Sequence, residues 1–181
     1  MRIKEISISN FKSFKKANIQ LSEGITAIMG PNGSGKSNII DAVMFALGET
    51  SLSKLRAEKL ENLVNKNSKV ASVSLMLCPT NGKEEYVITR QIRRDGKTRI
   101  MLNGKKIKIK ELKHFLVLNG IGNIRNAIIP QGEIQKIVKM KPKERKQYLE
   151  ELAETAVYTI KRAEAMKELE IVNGKIREIN L

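Results

Sequence analysis

Apolar and polar residues alternate through "RIKEISISNF" near the head of the chain, with Ile3, Ile6 and Ile8 in the apolar places. A period of two predicts a strand with one face buried. "KKANIQL" and "GITAIM" predict two further strands. The latter is almost wholly apolar, the pattern of a central strand covered on both faces. At Lys36 the spacing turns helical and stays so to Leu47. Ile39, Ile40, Val43, Met44, Phe45 and Leu47 are expected to be buried, and Gly48 follows as a stop. "SLSKLRAEKLENLVNKNSK" is polar and basic, with Leu52, Leu55, Leu60 and Leu63 as anchors, and predicts a loop with a short helix.

Four strand-like runs come next: "KVASVSLMLC", "EEYVITRQIRR", "KTRIMLNG" and "KKIKIK", with Asn81-Gly82, Asp95-Gly96 and Asn103-Gly104 between them. Such pairs suit tight hairpin turns whose two central residues take positive φ, so an antiparallel meander is expected. "IKELKHFLVLNG" predicts a helix ending near Gly120, and "NAIIPQG" a short buried strand leaving into a loop. From Pro142 the pattern is helical to the end. Leu149, Leu152, Ala156, Ile160, Ala163, Met166, Leu169, Val172, Ile176 and Ile179 recur at spacings of three and four, flanked by charge. Such a helix, about 55 Å long at 1.5 Å per residue, is too long for a compact domain and predicts a coiled coil leaving the globule. A surface helix packed on the core is the alternative. The expected organisation is α/β, with a lobe over residues 1–142 and the start of a coiled-coil arm over 143–181.

Composition adds a partner class. Lysine and arginine outnumber the acids enough to give a formal charge of +15, which favours polyanions. Between Lys83 and Lys113 there are eleven Lys/Arg against four Asp/Glu, and on adjacent strands these would form one positive face. Aromatics are only 4% and Trp is absent, so the core is aliphatic, with Met as filler. The same scarcity of stacking surfaces favours sequence-independent duplex binding over single-strand readout. A solvated lysine-rich face is the other reading. The single cysteine, Cys78, rules out a disulfide within the chain, suits a reducing compartment and is expected as a small core residue. No run reaches the ~20 apolar residues of a membrane span, and the N-terminal stretch lacks a signal-peptide core. The expected location is the cytoplasm, with no membrane partner. His114 has no Cys or His companions, so no zinc-type centre is expected.

The chemistry sits between the apolar "GITAIM" and the helix. "GPNGSGKS", Gly30 to Ser37, matches G-x-x-x-x-G-K-[ST], with the strand-then-helix context that makes the match specific. Phosphates must approach the backbone closely there, and a Cβ at Gly33 or Gly35 would interfere. In the loop that begins at Pro31, the successive N–H groups of Asn32, Gly33, Ser34, Gly35, Lys36, Ser37 and Asn38 then face the oxygens, helped by the positive end of the helix. Lys36 reaches the β- and γ-phosphates, and Ser37 supplies a hydroxyl to Mg²⁺. The ligand expected is therefore ATP with Mg²⁺.

"ISNFKSF", "GPNGSGKSNIIDAVMFALG", "KLRAEKLENLV" and "IIPQGEIQKIVKMKPKERKQYLEEL" occur in that order. Together they resemble the N-terminal half of the head of an SMC (structural maintenance of chromosomes) ATPase, the chromosome-organising branch of the ABC ATPase fold. The likeness covers essentially the whole chain. It implies that Lys12 and Ser13 lie close to the nucleotide, and that Gln131 is the Q-loop glutamine at Mg²⁺ and the attacking water. It also implies that Arg56 is the arginine of a loop coupling nucleotide to DNA, able to spread transition-state charge as an arginine finger does. The bland readings are a polar loop residue for Gln131 and a surface arginine for Arg56. Two departures, "LEELAETAVY" with Ala153 and Glu154, and Pro130 before Gln131, fit an archaeal SMC-like branch distinct from the housekeeping condensin. No Walker B strand ending in Asp-Glu and no Ser-Gly-Gly signature occurs in the sequence. The resemblance therefore implies a fragment or one half of a split head. That half is completed by a C-terminal lobe and a second head in a homodimer, and it acts on double-stranded DNA at the nucleoid with a kleisin-type subunit. A coiled-coil repair ATPase of the same superfamily, and a non-catalytic module whose long helix recruits partners, are the competing functions.

Overall fold

The computed structural model describes residues 1–79, 84–121, 128–129 and 138–146, with 165, 166, 169 and 172 beyond them. The chain divides into two units, Met1–Phe115 and Leu116–Leu181. The first holds a six-stranded antiparallel sheet in the order β2-β1-β3-β4-β5-β6. Its strands are β1 (Arg2–Ser9), β2 (Lys16–Gln20), β3 (Val70–Cys78), β4 (Tyr86–Arg93), β5 (Thr98–Leu102) and β6 (Lys105–Ile107). Helix α1 (Lys36–Ala46) follows β2, and a 3₁₀ turn (Leu60–Leu63) lies inside the leucine-anchored loop. Helix α2 (Ile109–Leu118) follows β6 and ends before Gly120, whose φ is +73°.

Register explains why one face is the core. Ile8 pairs with Val73, Val73 with Arg90, Arg90 with Ile100, and Ile100 with Ile107, giving one row across five strands. A second row runs Ile6, Leu75, Ile88 and Leu102. Because side chains alternate, both rows share a face, and α1 packs on it against β3 and β4. Phe45 of that helix meets Phe11 with ring centres 5.3 Å apart. The opposite face is polar and rich in hydroxyls, with the row Ser7, Ser74, Thr89, Met101 and Lys106.

The meander forms as expected, but its turns differ. At Asn103-Gly104 both residues have positive φ, 49° and 79°. At Asp95-Gly96 only Gly96 does, at +81°, and its N–H donates to the Arg93 carbonyl at 2.9 Å. That is an ordinary turn closed by a left-handed glycine, the usual solution for a loop one residue longer. Asn81-Gly82 and the expected "NAIIPQG" strand lie outside or only partly within the described residues. Of the C-terminal seam, Met166, Leu169 and Val172 are described, and each is helical and about half exposed.

Several expectations fail for physical reasons. "GITAIM" is not a strand: Ile25 is 99% exposed and Met29 88%. A parallel-type central strand needs a ladder on each side, and among the described residues no segment pairs with it. Ile40 points outward from α1, because the buried stripe passes through Ile39, Ala42, Val43 and Ala46 and takes in the acid Asp41. Cys78 is half-buried rather than core. Of the methionines Met44 is buried, but Met29 is exposed, so Met is not uniformly filler.

Candidate functional site

The glycine turn runs directly into α1. Gly35 is the helix N-cap at φ +96°, in the left-handed region that disfavours a side chain. A Cβ placed there would lie 3.2 Å from the Phe14 ring and 3.3 Å from Ser13 Oγ. At Gly30 a Cβ would come within 2.9 Å of Ser34 Oγ. At Gly33 nothing lies within 4 Å of the would-be Cβ, and its φ of +80° by itself calls for glycine. The turn is thus a cradle of bare backbone. Lys36 folds back over it, donating from Nζ to the carbonyls of Gly30 at 2.6 Å and Pro31 at 2.7 Å. An ammonium so placed, with helix N–H groups beneath it, fits a polyphosphate that would supply better acceptors than the loop carbonyls.

The "NFKS" turn after β1 reaches the same helix. Ser13 Oγ accepts from Asn38 Nδ2 at 2.8 Å. Lys12, at φ +50°, donates from Nζ to the carboxylate of Asp41 and to the Leu55 carbonyl at 2.6 Å. Arg56, at φ +46°, donates from Nε to the other Asp41 oxygen at 3.1 Å and from Nη2 to the carbonyl of Ser37. Arg56, exposed as a surface arginine would be, is bonded to the first turn of the phosphate-loop helix. Beside these residues opens a cleft of about 880 Å³, lined by Lys12, Ser13, Asn38, Arg56, Asn65 and Arg94 among others. Arg94 is held there by the carbonyls of Asn65 and Lys66, at 3.0 and 2.6 Å.

The expected site residues Lys12, Ser13, Lys36, Ser37, Asn38 and Arg56 thus converge on the first two turns of α1. Gln131 lies outside the described residues. Ser37 is exposed, and among the described residues no group of three or more His, Cys, Asp or Glu could hold a metal. One hydroxyl suits Mg²⁺ arriving on phosphates, the way this ion is usually bound, and does not make a cage of protein ligands.

The basic face is smaller than composition implied. Arg93, Arg99 and Lys106 fall on the polar side of the sheet, Arg99 opposite Gln91 and Lys106 opposite Met101. Lys105 pairs with Leu102 and so has the other parity. Arg94 turns into the cleft, and Arg90 is buried. Asp41 and Arg90 went unread in the sequence. Arg90 had a legible signal, an inward position between Ile88 and Ile92 on an alternating strand. Asp41 is an acid within an apolar helical stripe, a weaker mark.

The RecF/RecN/SMC N-terminal domain model matches residues 2–125. A chromosome partition protein Smc of Aquifex aeolicus is 39% identical over 186 residues, covering 97% of this chain and 16% of that protein. The Smc head domain of Pyrococcus furiosus, solved with an extended coiled coil and the C-terminal domain of ScpA, superposes with a TM-score of 0.79. It is 33% identical over 99% of this chain and 48% of that one. A chain from structural work on ATP-driven dimerization and DNA-stimulated activation of SMC ATPases gives 0.74 at 35% identity, covering 83% of this chain and 98% of that one. The chain spans about one sixth of the length of the curated relative it matches. Among the described residues no helix is long and apolar enough to cross a membrane.

Proposed function

This chain belongs to the SMC branch of the RecF/RecN/SMC family, and from that membership we propose that it is the ATP-binding lobe of a chromosome-organising ATPase. The observation that carries the reading is the seat of Lys36, whose ammonium caps a loop of bare backbone at the start of α1. ATP bound there supplies the γ-phosphoryl group whose hydrolysis drives the cycle. Lys36 and the loop N–H groups hold its phosphates, and Ser37 offers Mg²⁺ one oxygen. Lys12 and Arg56 border the same helix and add positive charge where negative charge develops. Gln131 is assigned the metal and water contact on family resemblance.

The lobe works as part of a larger site. The carboxylates that position metal and water belong to a C-terminal lobe, and a second head closes the site as a homodimer. The exposed Ile25, Ile28 and Met29 fit that arrangement, since the run can become the central strand it reads as once ladders flank it. The proposed arm begins near residue 143. Duplex DNA is the proposed polyanion and the nucleoid the proposed location. A kleisin-type subunit is proposed because the Pyrococcus furiosus head was solved with ScpA.

The test is Lys36→Ala in the full-length protein, read by equilibrium binding of a fluorescent ATP analogue. Loss of a charge-assisted contact worth about 1.5–3 kcal/mol should weaken binding about ten-fold or more. Unchanged affinity in a folded variant would overturn the assignment.

A further inference from the structure

Asp41 has no part in the phosphate-loop motif, yet two segments distant in sequence, the turn at Lys12 and the loop at Arg56, meet on it. Its side chain is wholly buried, on the second turn of α1. Oδ2 accepts from Lys12 Nζ, whose side chain is 11% exposed. Oδ1 accepts from Nε of Arg56 at 3.1 Å and forms an ion pair with its Nη2 at 2.8 Å. Lys12 Nζ also binds the Leu55 carbonyl, and Arg56 Nη2 the Ser37 carbonyl, so the loop before Arg56 and the helix start are sewn together around one carboxylate. Both cations sit on left-handed backbone, which residues other than glycine hold only when their surroundings over-determine it. Their backbones are held by other bonds, Lys12 N–H to the Leu63 carbonyl at 3.0 Å and Arg56 N–H to the Ser53 carbonyl at 3.1 Å, and Asp41 joins their side chains. Two positive groups face one negative group, so the cluster keeps a surplus positive charge beside the phosphate cradle. The Arg56 side chain is also still 48% exposed, and it lines the cleft beside the cradle.

We propose that Asp41 is a positioning residue for ATP hydrolysis, setting the place and orientation of the Arg56 guanidinium through the forked contact and anchoring Lys12 behind it. The inference rests on the reading of Arg56 as a group that acts on the transferring phosphoryl. A planar guanidinium held at two nitrogens has one orientation, whereas one released from Asp41 samples many, and pre-orientation counts most in the transition state. The expected mark is therefore on kcat rather than on nucleotide affinity.

The experiment compares Asp41→Asn, Arg56→Ala, the double variant and Arg56→Lys in the full-length protein, measuring ATP affinity and steady-state turnover at saturating ATP. Asp41→Asn should lower kcat five-fold or more with affinity within two-fold of wild type, and the double variant should be no slower than Arg56→Ala alone. Arg56→Lys, which keeps the charge but cannot fork onto Asp41 and Ser37, should be nearly as slow as Arg56→Ala. Because Arg56 is half exposed, that variant decides the question even if Asp41→Asn does not fold. Losses that multiply in the double variant, or full turnover in Arg56→Lys, would overturn the proposal. If Arg56→Ala is slow while Asp41→Asn is normal, the Asp41 role fails and the Arg56 reading stands. If Arg56→Ala turns over normally, the Arg56 reading itself fails, and with it any action of Asp41 through that group.

Discussion

The guanidinium of Arg90 lies 4.3 Å from the centre of the Phe45 ring and donates to the carbonyl of that same residue at 2.8 Å. It thereby joins β4 to the last turn of α1, adding a second donor to a carbonyl that also accepts from the N–H of Gly48 at 3.1 Å. A second bond, to the Glu49 carbonyl at 2.7 Å, extends the cap past the helix end. Burial pushes the group down to about 10, opposed by the charge of Glu49, so it stays cationic at neutral pH. Its Nε has no hydrogen-bond partner among the described residues.

Arg90 is consequently a structural cation whose removal should be felt at the end of α1 remote from the phosphate loop. Arg90→Ala loses two charge-assisted bonds and the ring contact, and should destabilise the domain by about 1–3 kcal/mol. Arg90→Met, which keeps the volume and drops the partnerless buried Nε, should cost clearly less. Both variants remove the cap and differ only in retained volume, so urea denaturation of the two separates packing from capping, and an unchanged stability in Arg90→Met would contradict the capping role.

Glu49 should make the same corner sensitive to acid. Partial burial raises its carboxyl, but the N–H groups of Ser51 and Thr50 and the ammonium of Lys54 outweigh that and hold it below the ordinary 4.5. A carboxyl lowered on folding contributes stability that is present above its unfolded value and is lost as pH falls through its folded value. Thermal stability should therefore drop below about pH 4.5, and Glu49→Gln should flatten that part of the profile. An unchanged acid limb would assign the loss to other carboxylates.

Gly35→Ala should damage the cradle through backbone strain. Alanine at φ +96° costs about 1–3 kcal/mol, and its methyl would press on Phe14 and Ser13. Affinity for ATP should fall at least ten-fold, whereas Gly104→Ala, at a hairpin with open space around it, should lower stability alone. Calorimetry and nucleotide titration on both variants distinguish local damage from general loss of fold.

DNA binding should follow register rather than composition. Replacing Arg93, Arg99 and Lys106 with Gln removes charges from one sheet face, and should weaken duplex binding irrespective of sequence. It should also reduce the salt slope by up to about 3, as each phosphate contact releases about 0.9 counterion. Lys105→Gln, of opposite parity, should change either quantity much less. Fluorescence anisotropy over a salt series would show it, and an unchanged slope in the triple variant would place the DNA surface elsewhere.

Local order was legible in the sequence wherever the determinant was local. Period-two alternation located β1 and β3 to β6, because a one-residue slip would turn Ile88 and Ile92 to water. Asn103-Gly104 announced its turn because few pairs tolerate two positive φ values. The phosphate cradle was legible because bare backbone, an ammonium and a hydroxyl within eight residues have few other uses. What only the tertiary structure decided involves partners far apart in sequence. The convergence of Lys12 and Arg56 on Asp41 spans separations of 29 and 15 residues, and no spacing rule connects them. The burial of Arg90 in a row of aliphatic side chains depends on the end of α1 and the turn after it presenting the carbonyls of Phe45 and Glu49 above β4. The apolar run at 25–29 shows the same limit from the other side. Hydrophobicity gives a segment the capacity to be a central strand, but a strand is made by hydrogen bonds to neighbours, and a sequence window does not contain them.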